Sequence, residues 1–288
     1  MPPSLPILVA LFAAPAATLP TEFLQIAPDA AGKPWWVAGE KHKDRAVLLI
    51  PGLKLHPLRP GRTTRPELHD WQEPKCELVK ALSRDADVFA FGYGQTAPLD
   101  VVPHTPGLRD AVAQLRKAGY QEIVLVGHSA GAVIARLFVE NYPDAGVTKL
   151  IQVAAPNNGS ELASVFKTGY PKSQAAFIQS LAPPVRAEAN RTAKRPLGPK
   201  VEAVCVVCKL PRIDGDGLVP LASQWPEELQ AQGVPAALVV ASHFEAMRSA
   251  AGVRVVSELA REKLTRWAPE QLDTARRVLF RDPEEAKK

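Results

Sequence analysis

Short, continuously apolar runs alternate with helical patterns along most of this chain, and that alternation leaves few architectures open. Residues 46–50, 87–91, 122–126, 150–154, 201–207 and 237–240 form six such runs. Runs without polar alternation suit parallel strands buried on both faces. Between them, residues 76–84, 107–118, 131–140 and 244–264 carry apolar side chains at spacings of three and four, the period of crossover helices. A succession of this kind predicts a mostly parallel central sheet with helices on both faces.

The chain has 288 residues, 46% of them apolar, enough to bury a sizeable core. Residues 21–288 read as a single domain. Two connections are too long for simple crossovers. Residues 53–73 hold Pro57, Pro60 and Pro66 without a clear period, and residues 156–200 separate two strand candidates. The second stretch is unusual in charge. From Lys167 to Lys200 there are seven basic residues and one acid, Glu188, a balance of +6, against +5 for the whole chain. Residues 157–200 are therefore expected to form a cap over the C-terminal edge of the sheet, where open α/β folds bind ligands. The cap would meet an anionic lipid surface transiently. The plainer alternative is that Lys172, Arg186, Arg191, Lys194 and Arg195 keep a mobile flap solvated. The mild overall charge carries no basic run interleaved with aromatics, which argues against a nucleic-acid partner.

Residues 1–20 include an apolar stretch from Leu5 to Ala17, too short to span a bilayer but long enough for an export signal, with Ala14-Pro15-Ala16 as a cleavage site. No Lys or Arg precedes it, the first being Lys33, and Pro6 interrupts it. The reading favours a secreted or periplasmic protein over a cytoplasmic one; the alternative is an apolar segment packed on the domain. Cys76, Cys205 and Cys208 are odd in number, and the last two lie three apart in a strand candidate, on opposite faces and about 10 Å from each other, too far for a bridge. They read as buried structural thiols, since a zinc site would need a second ligand pair.

The chemistry concentrates in Gly127-His128-Ser129-Ala130-Gly131. Such a pentapeptide is weak alone, but this one follows a strand candidate directly and opens a helix candidate, the context that a nucleophile elbow demands. A serine hydroxyl needs a base, and the base needs a carboxylate to orient it. His243 follows the last strand candidate. Asp214 and Asp216 lie in a glycine-flanked loop after residues 201–207, so the chain order is Ser, Asp, His. His42, His56, His69 and His104 lie in polar or proline-rich stretches and read as loop histidines, of which His56 and His69 could line a pocket.

These features resemble the α/β-hydrolase superfamily, and within it the lipase and esterase group, over about residues 45–262. The resemblance rests on Gly127-His-Ser-Ala-Gly131, Asp216-Gly-Leu-Val-Pro220 and His243. It implies the α/β-hydrolase fold with an eight-stranded sheet, of which six strands can be placed, and it assigns the triad acid to Asp216, leaving Asp214 as a loop-capping carboxylate. His128 would pack beside the elbow. One oxyanion donor is expected from the backbone N–H of Ala130. By likeness the other comes from Leu53, although Pro51 stands where lipases commonly have histidine. Pro156-Asn157-Asn158-Gly159 is similar to a lipase loop that leads into the lid, without the family's histidine, and is given no catalytic role.

The expectation is a serine hydrolase cleaving carboxylic esters through an acyl-enzyme, with Ser129, Asp216 and His243 as triad, Leu53 and Ala130 as oxyanion hole, and no metal or cofactor. Phe166, Tyr170, Phe177, Ile178 and Leu181 suggest an acyl pocket for a small-molecule or lipid ester. The same triad would serve a thioesterase, a phospholipid acyl hydrolase or an amidase. A catalytically silent binding protein of the same fold is the rival from another class.

Overall fold

The computed structural model describes residues 19–28, 41–56, 59–161, 163, 172–192 and 195–280. The stretch from Leu5 to Ala17, Lys33, Phe166, Lys167, Tyr170, Lys194 and the charged tail after Arg281 lie outside the described residues.

All six expected strands form. In chain order the strands are β1 (Thr21–Ala27), β2 (Arg45–Ile50), β3 (Asp87–Tyr93), β4 (Glu122–His128), β5 (Lys149–Val153), β6 (Glu202–Lys209) and β7 (Ala236–Val240). They make one sheet in the order β1-β3-β2-β4-β5-β6-β7. β1 pairs antiparallel with β3, and every other pairing is parallel. The sheet thus has seven strands among the described residues, where the resemblance implied eight. β1 escaped the sequence reading because Thr21-Glu-Phe-Leu-Gln-Ile-Ala27 is an edge strand with polar residues among the apolar ones.

Four helices match the periodicity: α1 (Glu77–Leu82), α2 (Pro106–Lys117), α3 (Ala130–Asn141) and, further along, the helix Ala250–Arg261. The last corrects the expected span of 244–264. Residues 243–248 are turns, and the helix starts only where Ser249 caps it, its Oγ accepting from the Gly252 N–H at 3.1 Å. Shorter helices fill the connections: α4 (Ala175–Gln179), α5 (Pro183–Thr192), α6 (Leu221–Gln224) and α7 (Glu227–Ala231), so Ala250–Arg261 is α8 and Pro269–Leu279 is α9.

Two apolar cores sandwich the sheet. Leu48, Leu125 and Cys205 point with α2 and α3 into one core, while Val47, Val124 and Cys208 point with α1 and α8 into the other. The strand period of two thus sends the cysteines to opposite faces, both are free, and burial pushes each thiol up to about 12.

Between β5 and β6, α5 corrects the expectation of a wholly solvated basic surface. Arg191 and Arg195 are exposed, but Arg186 is buried, its Nη1 donating to Asp100 Oδ1 at 2.6 Å and its Nη2 to Asn190 Oδ1 at 3.3 Å. A buried guanidinium persists only when paired. Arg186 therefore pins this connection to the segment after β3. Arg186→Ala should lower stability in urea unfolding by about 2 kcal/mol. Arg191→Ala should stay within about 0.5 kcal/mol of the parent. Equal effects would leave Arg186 without its anchoring role.

Candidate active site

From β2 the chain crosses to β3 on one side and then to β4 on the other, so the strand order reverses between β2 and β4. Ligands of open α/β sheets bind at the carboxyl ends of strands at such a point. Four loops meet there: residues 51–56 after β2, Ser129 after β4, the Asp214 to Pro220 loop after β6, and residues 241–248 after β7.

Ser129 joins β4 to α3 at φ 55° and ψ −129°, in the left-handed range that side chains rarely adopt. Its N–H donates to Val153 O at 2.9 Å, holding the elbow to β5. The fit leaves no room for side chains on the neighbours. A Cβ at Gly131 would stand 2.4 Å from the carbonyl oxygens of Ile50 and Pro51, and one at Gly52 would stand 2.6 Å from Ser129 Cβ. These contacts press the β2 loop against the serine. Ala130 begins α3, where the first N–H groups have no partner within the helix.

Ser129 Oγ lies 2.9 Å from His243 Nε2, and His243 Nδ1 lies 2.7 Å from Asp216 Oδ2. Asp216 is buried, and its second oxygen accepts from the N–H groups of Leu218 and Val219 at 2.9 and 2.8 Å. Asp214 is exposed, and its side chain accepts from the Leu221 N–H at 3.3 Å. Of the two acids, the structure brings Asp216 to the histidine and leaves Asp214 capping α6.

Ser129 and His243 open on a cavity of about 520 Å³ whose walls include Leu53, Leu68, Ile178, Leu181, Leu218 and Phe244. Ile178 and Leu181 stand where an acyl pocket was expected. Phe177 does not, being packed in the core against Tyr93 at 5.9 Å between ring centres. Pro156 also lies on the wall, while Asn157 is tied to Arg136 Nη1 at 3.2 Å and, through its carbonyl, to Asn190 Nδ2 at 2.9 Å. At the mouth, Arg248 pairs with Asp70 through Nε and Nη2 and donates from Nη1 to Phe244 O. Nothing in the sequence links those two residues, which lie 178 positions apart.

The remaining histidines separate clearly. His56 meets Glu67 at 2.9 Å and His104 meets Tyr142 at 3.1 Å. His128 packs under the elbow, its ring 4.9 Å from that of His243 and its Nε2 3.0 Å from the His243 carbonyl. A carbonyl only accepts, so Nε2 carries the proton, and Nδ1 is left buried without a partner. Burial, with His243 and His69 nearby, holds His128 well below the usual histidine value. His69 lines the cavity, and burial, helped by Lys54 and Arg248, lowers it to about 4. Both are neutral in the folded protein at pH 7.

The unfolded chain takes up these protons below about 6.5, whereas the folded chain resists them, so stability is complete above that value and is lost as pH falls toward 4. His69→Gln should reduce the stability difference between pH 7.5 and 4.5 by about 2 kcal/mol relative to the parent in urea unfolding. Identical differences would show that His69 does not titrate this way.

No family model matches the sequence, and no curated protein matches it. Solved structures match in shape. The Bacillus licheniformis lipase BlEst2 in its propeptide form superimposes with a TM-score of 0.58 at 12% identity, over 80% of this chain and 53% of that one. Its mature form gives 0.50 at 14%, over 75% and 91%. Phospholipase PlaB from Legionella pneumophila gives 0.57 at 13%, over 84% of this chain and 64% of that one. The chain thus spans about half the length of the propeptide-form lipase, 53%, and under two thirds of the phospholipase, 64%. With these shapes and the seven-stranded sheet, the chain has the α/β-hydrolase fold.

Proposed function

We propose that the protein is a serine hydrolase that cleaves carboxylic esters through an acyl-enzyme. The observation that carries this reading is the unbroken chain Ser129 Oγ, His243 Nε2, His243 Nδ1, Asp216 Oδ2, with links of 2.9 and 2.7 Å. In it, Ser129 Oγ attacks the ester carbonyl as its proton passes to His243 Nε2. Asp216 accepts from Nδ1–H, which fixes the tautomer that leaves Nε2 free to receive, and it stabilises the imidazolium that forms. The N–H groups of Leu53 and Ala130 hold the negative charge on the carbonyl oxygen. Nε2 returns the proton to the departing alcohol, and water, deprotonated by the same nitrogen, then releases the acid and restores Ser129.

The apolar walls of the cavity support an ester with a hydrocarbon acyl group, seated against Ile178 and Leu181. Of the cap expected over 157–200, Ser160, Ala163, Ile178 and Leu181 meet this pocket, and the buried Arg186 docks α5. A phospholipid acyl ester is the second reading, favoured by the shape shared with a phospholipase and by exposed Lys172, Arg191 and Arg195 on the cap.

Ser129→Ala should abolish hydrolysis of a short-chain p-nitrophenyl ester and covalent labelling by a fluorophosphonate. Asp216→Asn should lower kcat on the order of 10⁴. Asp214→Asn, at an exposed residue, should change it by less than about tenfold, because its hydrogen bond reaches only a helix cap. Labelling that persists in Ser129→Ala would remove Ser129 from the reaction, and a reversed order of the two aspartates would move the acid to Asp214.

A further inference from the structure

Two buried glutamines, one after β3 and one in the connection before α4, surround the loop that carries Leu53. Gln95 Nε2 donates to Gly52 O at 2.9 Å, and Gln95 Oε1 accepts from the Lys54 N–H at 2.9 Å, so one side-chain amide bridges the peptide groups on either side of Leu53. Gln174 stands behind it. Its Nε2 donates to Lys54 O at 2.8 Å and to Gln95 Oε1 at 3.2 Å, and its Oε1 accepts from the His56 N–H at 3.4 Å. Gln174 is fully buried and Gln95 is nearly so. Tyr93, two residues before Gln95, donates its hydroxyl to Pro51 O at 2.8 Å.

The geometry has a direct consequence. A trans peptide is planar, with its C=O and N–H pointing in opposite directions. Because Gly52 O faces Gln95, the N–H of Leu53 in the same peptide points away from Gln95. The carbonyls of Pro51 and Gly52, which would repel a developing oxyanion, are held by Tyr93 and Gln95. Rotation of the Gly52–Leu53 peptide would break the bond to Gln95 and turn a carbonyl toward the place of the donor. Pro51 occupies the position where the lipase resemblance expects histidine, so the loop here is held by groups outside its own motif.

We propose that Gln95 is a positioning residue for the Leu53 N–H, and that Gln174 couples this clamp to the connection between β5 and β6. The inference rests on the serine-hydrolase reading. Electrostatic stabilisation depends on donors preorganised toward the charge that develops, and losing one costs about 10²–10³ in rate. A clamp that keeps the donor aimed without touching substrate should carry part of that factor in kcat and little in KM.

The test compares the parent with Gln95→Glu and Gln174→Leu, each folded protein assayed on a short-chain p-nitrophenyl ester. Active sites are titrated to completion by fluorophosphonate at Ser129, so that kcat is expressed per competent site. Gln95→Glu keeps an acceptor for Lys54 N–H but sets a carboxylate oxygen against Gly52 O, so kcat per site should fall on the order of 10² with KM within about threefold. Gln174→Leu, which removes only the outer support, should lower kcat about three- to tenfold by the same argument. The affinity of a boronic acid that mimics the tetrahedral state should fall by the same factor as kcat/KM in each variant. A purely structural role would lower the fraction of titratable sites and leave kcat per site and boronate affinity at parent values, and that result overturns the proposal. Gln174→Leu decides alone if Gln95→Glu does not fold. A parent that neither hydrolyses the ester nor labels at Ser129 would sink the hydrolase reading itself, whereas an active parent with unaffected variants would sink only the clamp.

Discussion

The site depends on one steric constraint, the left-handed backbone of Ser129 wedged between β2 and α3. Such a conformation costs on the order of 1–3 kcal/mol and persists only where its surroundings over-determine it. Here they do so from three sides. Val153 O fixes the serine N–H from β5, the carbonyls of Ile50 and Pro51 abut Gly131, and Gly52 abuts the serine side chain. Each contact requires the parallel register of β2, β4 and β5, in which Ile50 pairs with Gly127 and Val153 with His128. The sheet thus sets the elbow, and the elbow sets where the β2 loop can lie.

Around this steric core the loops are held by polar groups taken out of solvent. Gln95 and Gln174 grip the β2 loop, Arg136 with Glu140 holds Asn157 after β5, and Gln224 binds Cys208 N–H, Cys208 O and Val219 O around the Asp216 loop. A buried amide or guanidinium with its partners removed costs more than its bonds contribute, so each of these loops has one favourable arrangement. The ion pair of Arg248 and Asp70 differs. It is exposed at the mouth, and pairs of that kind contribute at most about 1 kcal/mol. Its effect is directional, joining the connection after β2 to the turn that follows His243.

β2 to β6 were legible because strands buried on both faces are largely apolar, and the edge strand β7 because Ala236–Val240 is apolar throughout, although Leu238 and Val240 face solvent. The elbow was legible because its constraint is local, confined to five consecutive residues between a strand and a helix. β1 was not, since an edge strand with polar positions loses that signature. The start of α8 was misplaced because apolar Phe244, Ala246 and Met247 carry the helical period upstream of it, while Phe244 is spent on the cavity wall and Ala246 and Met247 on the core. Arg186 looked like one cation among seven, and only the fold shows that, among the described ones, it faces inward to Asp100. Gln95 carried no signal at all, because glutamine is common in loops and its partners lie 43 and 79 positions away.

Ser129 and His243 are 114 residues apart, Gln95 and Gly52 are 43, and Arg248 and Asp70 are 178. None of these contacts exists in any short fragment, so the geometry forms only when non-local strand pairing is complete. Non-local pairings close large loops before they return any energy, and they form late and slowly for that reason. The strained serine therefore finds its support only after β2, β4 and β5 have aligned. Until then the pentapeptide is an ordinary glycine-rich turn whose hydroxyl has no His243 imidazole beside it. This dependence also separates the elbow from the pocket. The elbow and its braces are bound to the sheet, while Ile178 and Leu181 on the cavity wall come from the connection between β5 and β6. Change in that connection can alter what the cavity accepts without moving Ser129, provided that Gln174 and Arg186 keep their places.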